Sequence, residues 1–189
     1  MTADSLDADQ TKTMTLEAFA DTIIPGEKRW PGDRAVAGAS AGGGAVAAGA
    51  VQLLHDPAGG LAPILDSMCI ALNEHAREYA TGAGLDLAAD VPPFVALDFA
   101  DRTRLVRALV APDHPERDLW VSLTMFSVMA WDTGAQDGIQ EAFAADHPGL
   151  RTIGFFEPDE DGLWRFPEFS YRRKLAEPHP NTTPTGSPA

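Results

Sequence analysis

Leu61, Ile64, Leu65, Met68, Leu72, Ala76 and Tyr79 recur at helical spacing over about five turns, and Gly82 and Gly84 follow as breakers. A stripe of that length has to be buried against other elements, and nowhere in the chain do strand patterns alternate with helical ones. The partners must therefore be helices. Thr15 can cap a first helix, with Leu16, Phe19, Ala20, Ile23 and Ile24 on one face and Pro25-Gly26 as its stop. Residues 35–54 carry no charge and are mainly alanine and glycine, which predicts a small-residue helix open to close approach by a neighbour. Asp98 can cap a segment whose Leu105, Val106 and Leu109 face one way. The run from Leu119 to Trp131 is apolar nearly all round and is expected at the centre of the domain. A shorter amphipathic piece, residues 135–145, ends near His147-Pro148-Gly149.

These elements predict a mainly α protein: a compact helical domain of about five to six helices with an irregular aromatic-rich C-terminal arm. The 189 residues suit one domain with appendages. Residues 1–14 are expected to be a disordered N-terminus, 15–150 the helical domain, 151–176 the arm and 177–189 a disordered Pro-rich tail. The acidic turn Asp159-Glu160-Asp161-Gly162 could join one short strand pair within the arm.

A formal net charge of −14 argues against binding to a phosphate backbone, which needs a basic face. The single cysteine, Cys69, excludes an intrachain disulfide and a multi-thiolate zinc site. No basic n-region followed by an apolar stretch opens the chain, and the bulky apolar content of residues 35–54 is too low for a membrane span. The expected compartment is the cytoplasm, with co-export alongside a leader-bearing partner as the other route.

Gly38-Ala39-Ser40-Ala41-Gly42 matches the G-x-S-x-G elbow, and Gly42, Gly44 and Ala47 match G-x-G-x-x-A, but neither follows a segment able to form a strand. His55, His75, His114, His147 and His179 show none of the local spacings of a helical metal site, so no metal ligand and no bound cofactor is expected. Glu74, His75 and Asp98 are the candidates for acid or base chemistry if the chain is itself a small-molecule enzyme with a pocket between helices. No catalytic constellation emerges otherwise. Interface material does: Trp164, Phe166, Phe169, Tyr171, Arg172 and Arg173 in the arm, then Ile24, Pro25 and Trp30, are residue types that anchor protein contacts. A homo-oligomeric scaffold is a further reading.

The stretch Leu16-Glu17-Ala18-Phe19-Ala20-Asp21-Thr22-Ile23-Ile24-Pro25-Gly26, followed by Pro31-Gly32 and the Ala/Gly segment, resembles the gluconate 2-dehydrogenase subunit 3 family. The ending from Gly162 to Leu175 resembles an actinobacterial branch of such proteins. The resemblance implies a small accessory subunit, without flavin or catalytic residue of its own, accompanying a larger FAD-dependent flavoprotein of the glucose-methanol-choline (GMC) oxidoreductase type. Family members often carry a twin-arginine leader, whereas here Arg172-Arg173 lies near the other end. The expected function is thus to bind and stabilise or mature a GMC-type oxidoreductase.

Overall fold

A computed structural model describes residues 7–155 together with 180 and 181. The chain divides into two units, Met1–Gly154 and Phe155–Ala189. The described residues of the first unit form eight α-helices and no strand: α1 (Ala8–Ile23), α2 (Ala50–His55), α3 (Leu65–Ala83), α4 (Pro93–Ala96), α5 (Phe99–Leu109), α6 (Arg117–Thr133), α7 (Ile139–Ala144) and α8 (Pro148–Thr152). The protein is mainly α, as the periodicity predicts.

The first helix starts earlier than Thr15. Asp7 is the cap: its Oδ1 accepts from Gln10 N at 2.7 Å while Gln10 Oε1 accepts from Asp7 N at 3.4 Å, a reciprocal capping box. Asp9 adds negative charge to the first turn, where the helix dipole favours it, and Lys12 reaches Asp66 on α3 at 3.0 Å. Residues 8–14 therefore belong to the helical unit, because the acidic run that reads as a solvated tail is also good N-terminal helix chemistry. Thr15 sits inside the helix, buried, its hydroxyl donating to Thr11 O at 2.7 Å.

The centre of the unit is α1, which contacts α2, α3, α4, α5 and α6. Leu16, Ala18, Phe19 and Ala20 are all buried, and the alanines let neighbouring backbones come close. Phe19 lies between Phe94 and Trp120, with ring centroids 6.3 and 6.5 Å away. The place expected for α6 is thus taken by α1. In α6, Trp120, Leu123, Ser127 and Ala130 point inward, whereas Met125, Val128 and Met129 face solvent. An apolar helix of this kind is either a core helix or one with a covered outer face, and periodicity alone does not separate the two.

Residues 35–54 differ most from expectation. Only α2 is helical there, and 35–49 form an irregular, hydrogen-bonded loop. Three consecutive glycines, Gly42 to Gly44, weaken any helix, and tertiary contacts decide the outcome. Ala45 N donates to Ile24 O at 3.0 Å and Glu27 N to Gly42 O at 2.8 Å, pulling the loop against the end of α1. At Gly44 an added Cβ would lie 2.5 Å from Gly26 N and from the Pro25 carbonyl carbon, so only glycine fits that approach.

Smaller boundaries also shift. A 3-10 turn, Ala62–Ile64, precedes α3, and Gly84 in the left-handed region ends it, with Gly82 still inside the helix. Asp98 caps α5 as expected, accepting from Asp101 N at 2.7 Å. His147, expected near a stop, opens α8: its Nδ1 accepts from Leu150 N at 3.3 Å and its Nε2 lies 3.2 Å from Ala48 O. With Nδ1 accepting from Leu150 N, Nε2 is the nitrogen left to donate to Ala48 O.

Candidate functional site

The residues that carry the family resemblance build a clamp. Asp21, in the last turn of α1 and fully buried, accepts from Gly26 N at 3.1 Å and from Ala37 N at 2.8 Å. Burial pushes its carboxyl above the ordinary value, opposed by the two amides and by the Arg102 charge. Arg102 on α5 is itself buried, and its guanidinium donates to four carbonyls: Leu97 at 3.0 Å, Ala35 at 2.8 Å, Arg34 at 2.9 Å and Val95 at 2.6 Å. Burial draws its pKa down to about 10, with Asp21 acting in the opposite sense. These groups fix the loop after α1.

On that loop, Asp33 accepts from Ala35 N and Val36 N at 3.2 and 3.1 Å, and its far side meets Arg29 Nε at 2.6 Å. Burial works against the Asp33 charge, but the Arg29 and Val36 bonds prevail and hold its carboxyl below the usual range. Arg29 also grips Glu17 on α1 with two bonds, at 2.5 and 2.7 Å. Its guanidinium carbon stands 4.7 Å from the centre of the Trp30 ring. Trp30 is therefore a large side chain, 53% exposed, held in place by a guanidinium that is itself tied at both ends. A second apolar feature lies on α6, where Met125 (55% exposed), Val128 and Met129 share one face at i, i+3 and i+4.

A third cluster is polar. His75 on α3 places Nε2 2.8 Å from Glu116 Oε2, and Trp120 Nε1 donates to the same oxygen at 3.1 Å. The His75 hydrogen bond, assisted by Trp120, holds the Glu116 carboxyl below its usual range. His114 lies beside them, its ring edge-on to His75 at 5.7 Å, with Nδ1 accepting from Glu116 N at 3.2 Å. Local spacing in the sequence does not reveal this grouping, because its members come from α3, from the connection after α5 and from the residue before α6.

Of the other acid or base candidates, Glu74 is exposed on α3 and Asp98 is the exposed cap of α5. Neither lines the groove of about 410 Å³ between α1 and α3, and nor does His75. The inner polar group of that groove, Asn73, spends its bonds on Thr15, Cys69 O and Phe94 N. Beside it, burial pushes the Cys69 thiol up to about 12. Cys69 should accordingly react with a disulfide reagent at least roughly a hundredfold more slowly in the native protein than in denaturant, since thiolate fraction and access both limit the reaction. Equal rates would place the thiol in solvent.

Among the predicted interface residues, Trp30 is exposed, whereas Ile24 is half-buried against Ala20, Ala45, Leu53 and Ala130, and Pro25 is half-buried beside it. The side chain of Ile24 thus serves the unit's own second core cluster. Trp164, Phe166, Phe169, Tyr171, Arg172 and Arg173 lie outside the described residues, as do most of the predicted arm and tail and the acidic turn at Asp159 to Gly162. The start of that arm is not irregular, since α8 runs to Thr152. No helix among the described residues is long and apolar enough to cross a membrane. No curated protein and no solved structure matches the chain. A family model does, over residues 10–189, and by that match the chain belongs to DUF5987, a family of unknown function.

Proposed function

We propose that this chain is a non-catalytic accessory subunit that binds and stabilises or matures an FAD-dependent oxidoreductase of the GMC type. The likeness of Leu16 to Gly26 to the small-subunit family suggests the partner, and FAD belongs to that partner. The observation that carries the reading is Trp30, an exposed indole whose orientation is already set by Arg29, Glu17 and Asp33. A pre-ordered aromatic loses little conformational freedom when it is covered, which is the property of an interface anchor. The Met125, Val128 and Met129 face of α6 adds apolar area that a partner would remove from water. Binding to the folded, flavin-loaded state would stabilise the partner by mass action.

Trp30→Ala tests this directly. The isolated chain should keep its melting behaviour, because an exposed residue is removed, at a cost of about 0.5 kcal/mol or less. Affinity for the flavoprotein should fall roughly thirtyfold, the loss of an anchor worth about 2 kcal/mol. An unchanged affinity would remove Trp30 from the interface and leave the reading without its main support.

A further inference from the structure

We propose that His75, His114 and Glu116 form a binding site for a divalent transition cation, Zn²⁺ foremost. One ligand atom from each of the three lies within 4.8 Å of the other two. Zinc binds imidazole nitrogen and carboxylate oxygen at about 2.0–2.2 Å, which sets neighbouring ligand atoms roughly 3 to 3.5 Å apart around a tetrahedron. His75 Nε2 and Glu116 Oε2, at 2.8 Å, are already close to that spacing. His114 offers its ligand atom within the same 4.8 Å, and ligation through Nδ1 would exchange its 3.2 Å bond from Glu116 N for the metal.

Two imidazoles and a carboxylate, with no thiolate, favour Zn²⁺, Co²⁺ or Ni²⁺ over the hard cations Mg²⁺ and Ca²⁺. Trp120 Nε1 donates to Glu116 Oε2 and orients the carboxylate, the outer support that metal ligands commonly have. The histidines are half-buried and Glu116 is exposed, so a fourth coordination position stays open to water. The His75 to Glu116 contact supplies two of the three ligands, and His114, held beside them by its own bond from Glu116 N, supplies a second imidazole. Such an ion would tie α3 to the start of α6. This site does not depend on the accessory-subunit reading.

The test is equilibrium dialysis of the full chain, free of any affinity tag, against Zn²⁺ and then Co²⁺. One equivalent of Zn²⁺ should bind and raise the melting temperature, and bound Co²⁺ should give a visible spectrum without thiolate charge transfer. His114→Gln should bind at least roughly tenfold more weakly while its helical circular dichroism and metal-free melting stay as in the parent. Because His75 and Glu116 hold each other, His114→Gln separates ligation from folding. Equal retention of Zn²⁺ by the parent and by His114→Gln would overturn the site, as would no bound equivalent, or thiolate bands assigning the metal to Cys69.

Discussion

Arg102→Met should lower the free energy of unfolding by about 3 to 5 kcal/mol, seen as an earlier midpoint in urea with the slope unchanged. The side chain lost is apolar in its stem, so packing volume is nearly kept; what disappears is the guanidinium that donates to the carbonyls of Arg34, Ala35, Val95 and Leu97. Buried acceptors left without partners carry the cost of their desolvation. Asp21 also loses the nearby positive charge that supports its buried carboxylate. Arg102→Lys should recover little, since one ammonium cannot span four carbonyls set around a planar guanidinium. A loss under about 1 kcal/mol would mean that the loop after α1 is held by other groups.

Gly149→Ala should be comparably damaging. Gly149 lies at the start of α8 where it crosses α6, and an added Cβ would fall on the carbonyl oxygen of Trp131. That atom is backbone and cannot rotate away, so α8 has to separate from α6, at a cost of about 3 kcal/mol or more. His147 would then lose its place against Ala48 O. Hydrogen exchange should speed up in α8 and in the neighbouring loop while α3 keeps its protection. Native-like stability of this variant would contradict the close crossing of the two helices.

How much of the structure can be read from the sequence depends on the range of the interactions involved. The α3 stripe from Leu65 onward, the Asp98 cap and the stop at Pro25-Gly26 are local, and each appears where the pattern puts it. Asp21 sits in plain view within the motif, but its partners are Gly26 and Ala37, the second far along the chain, so its role as a clamp has no local signature. The Ala/Gly segment reads as helix because alanine favours helix; contacts of Gly44 with the Pro25 backbone and of Ala45 with Ile24 override that preference. In α6, the hydrophobic run is equally consistent with a core position and with an outward apolar face. His75 is separated in sequence from His114 and Glu116 by the end of α3 and all of α4 and α5, so only the fold brings it to them. Trp30 is legible as an aromatic in a loop, but the Arg29 stack that fixes it is not.

The most direct measurement is purification of the tagged full chain from its native cell, alongside Trp30→Ala, with the absorbance and fluorescence spectra of each eluate recorded. The accessory role requires a larger flavin-containing protein to co-purify with the parent chain, in a fixed ratio, and to be strongly depleted with Trp30→Ala. A colourless eluate holding this chain alone, or a flavoprotein retained equally by both forms, would contradict it.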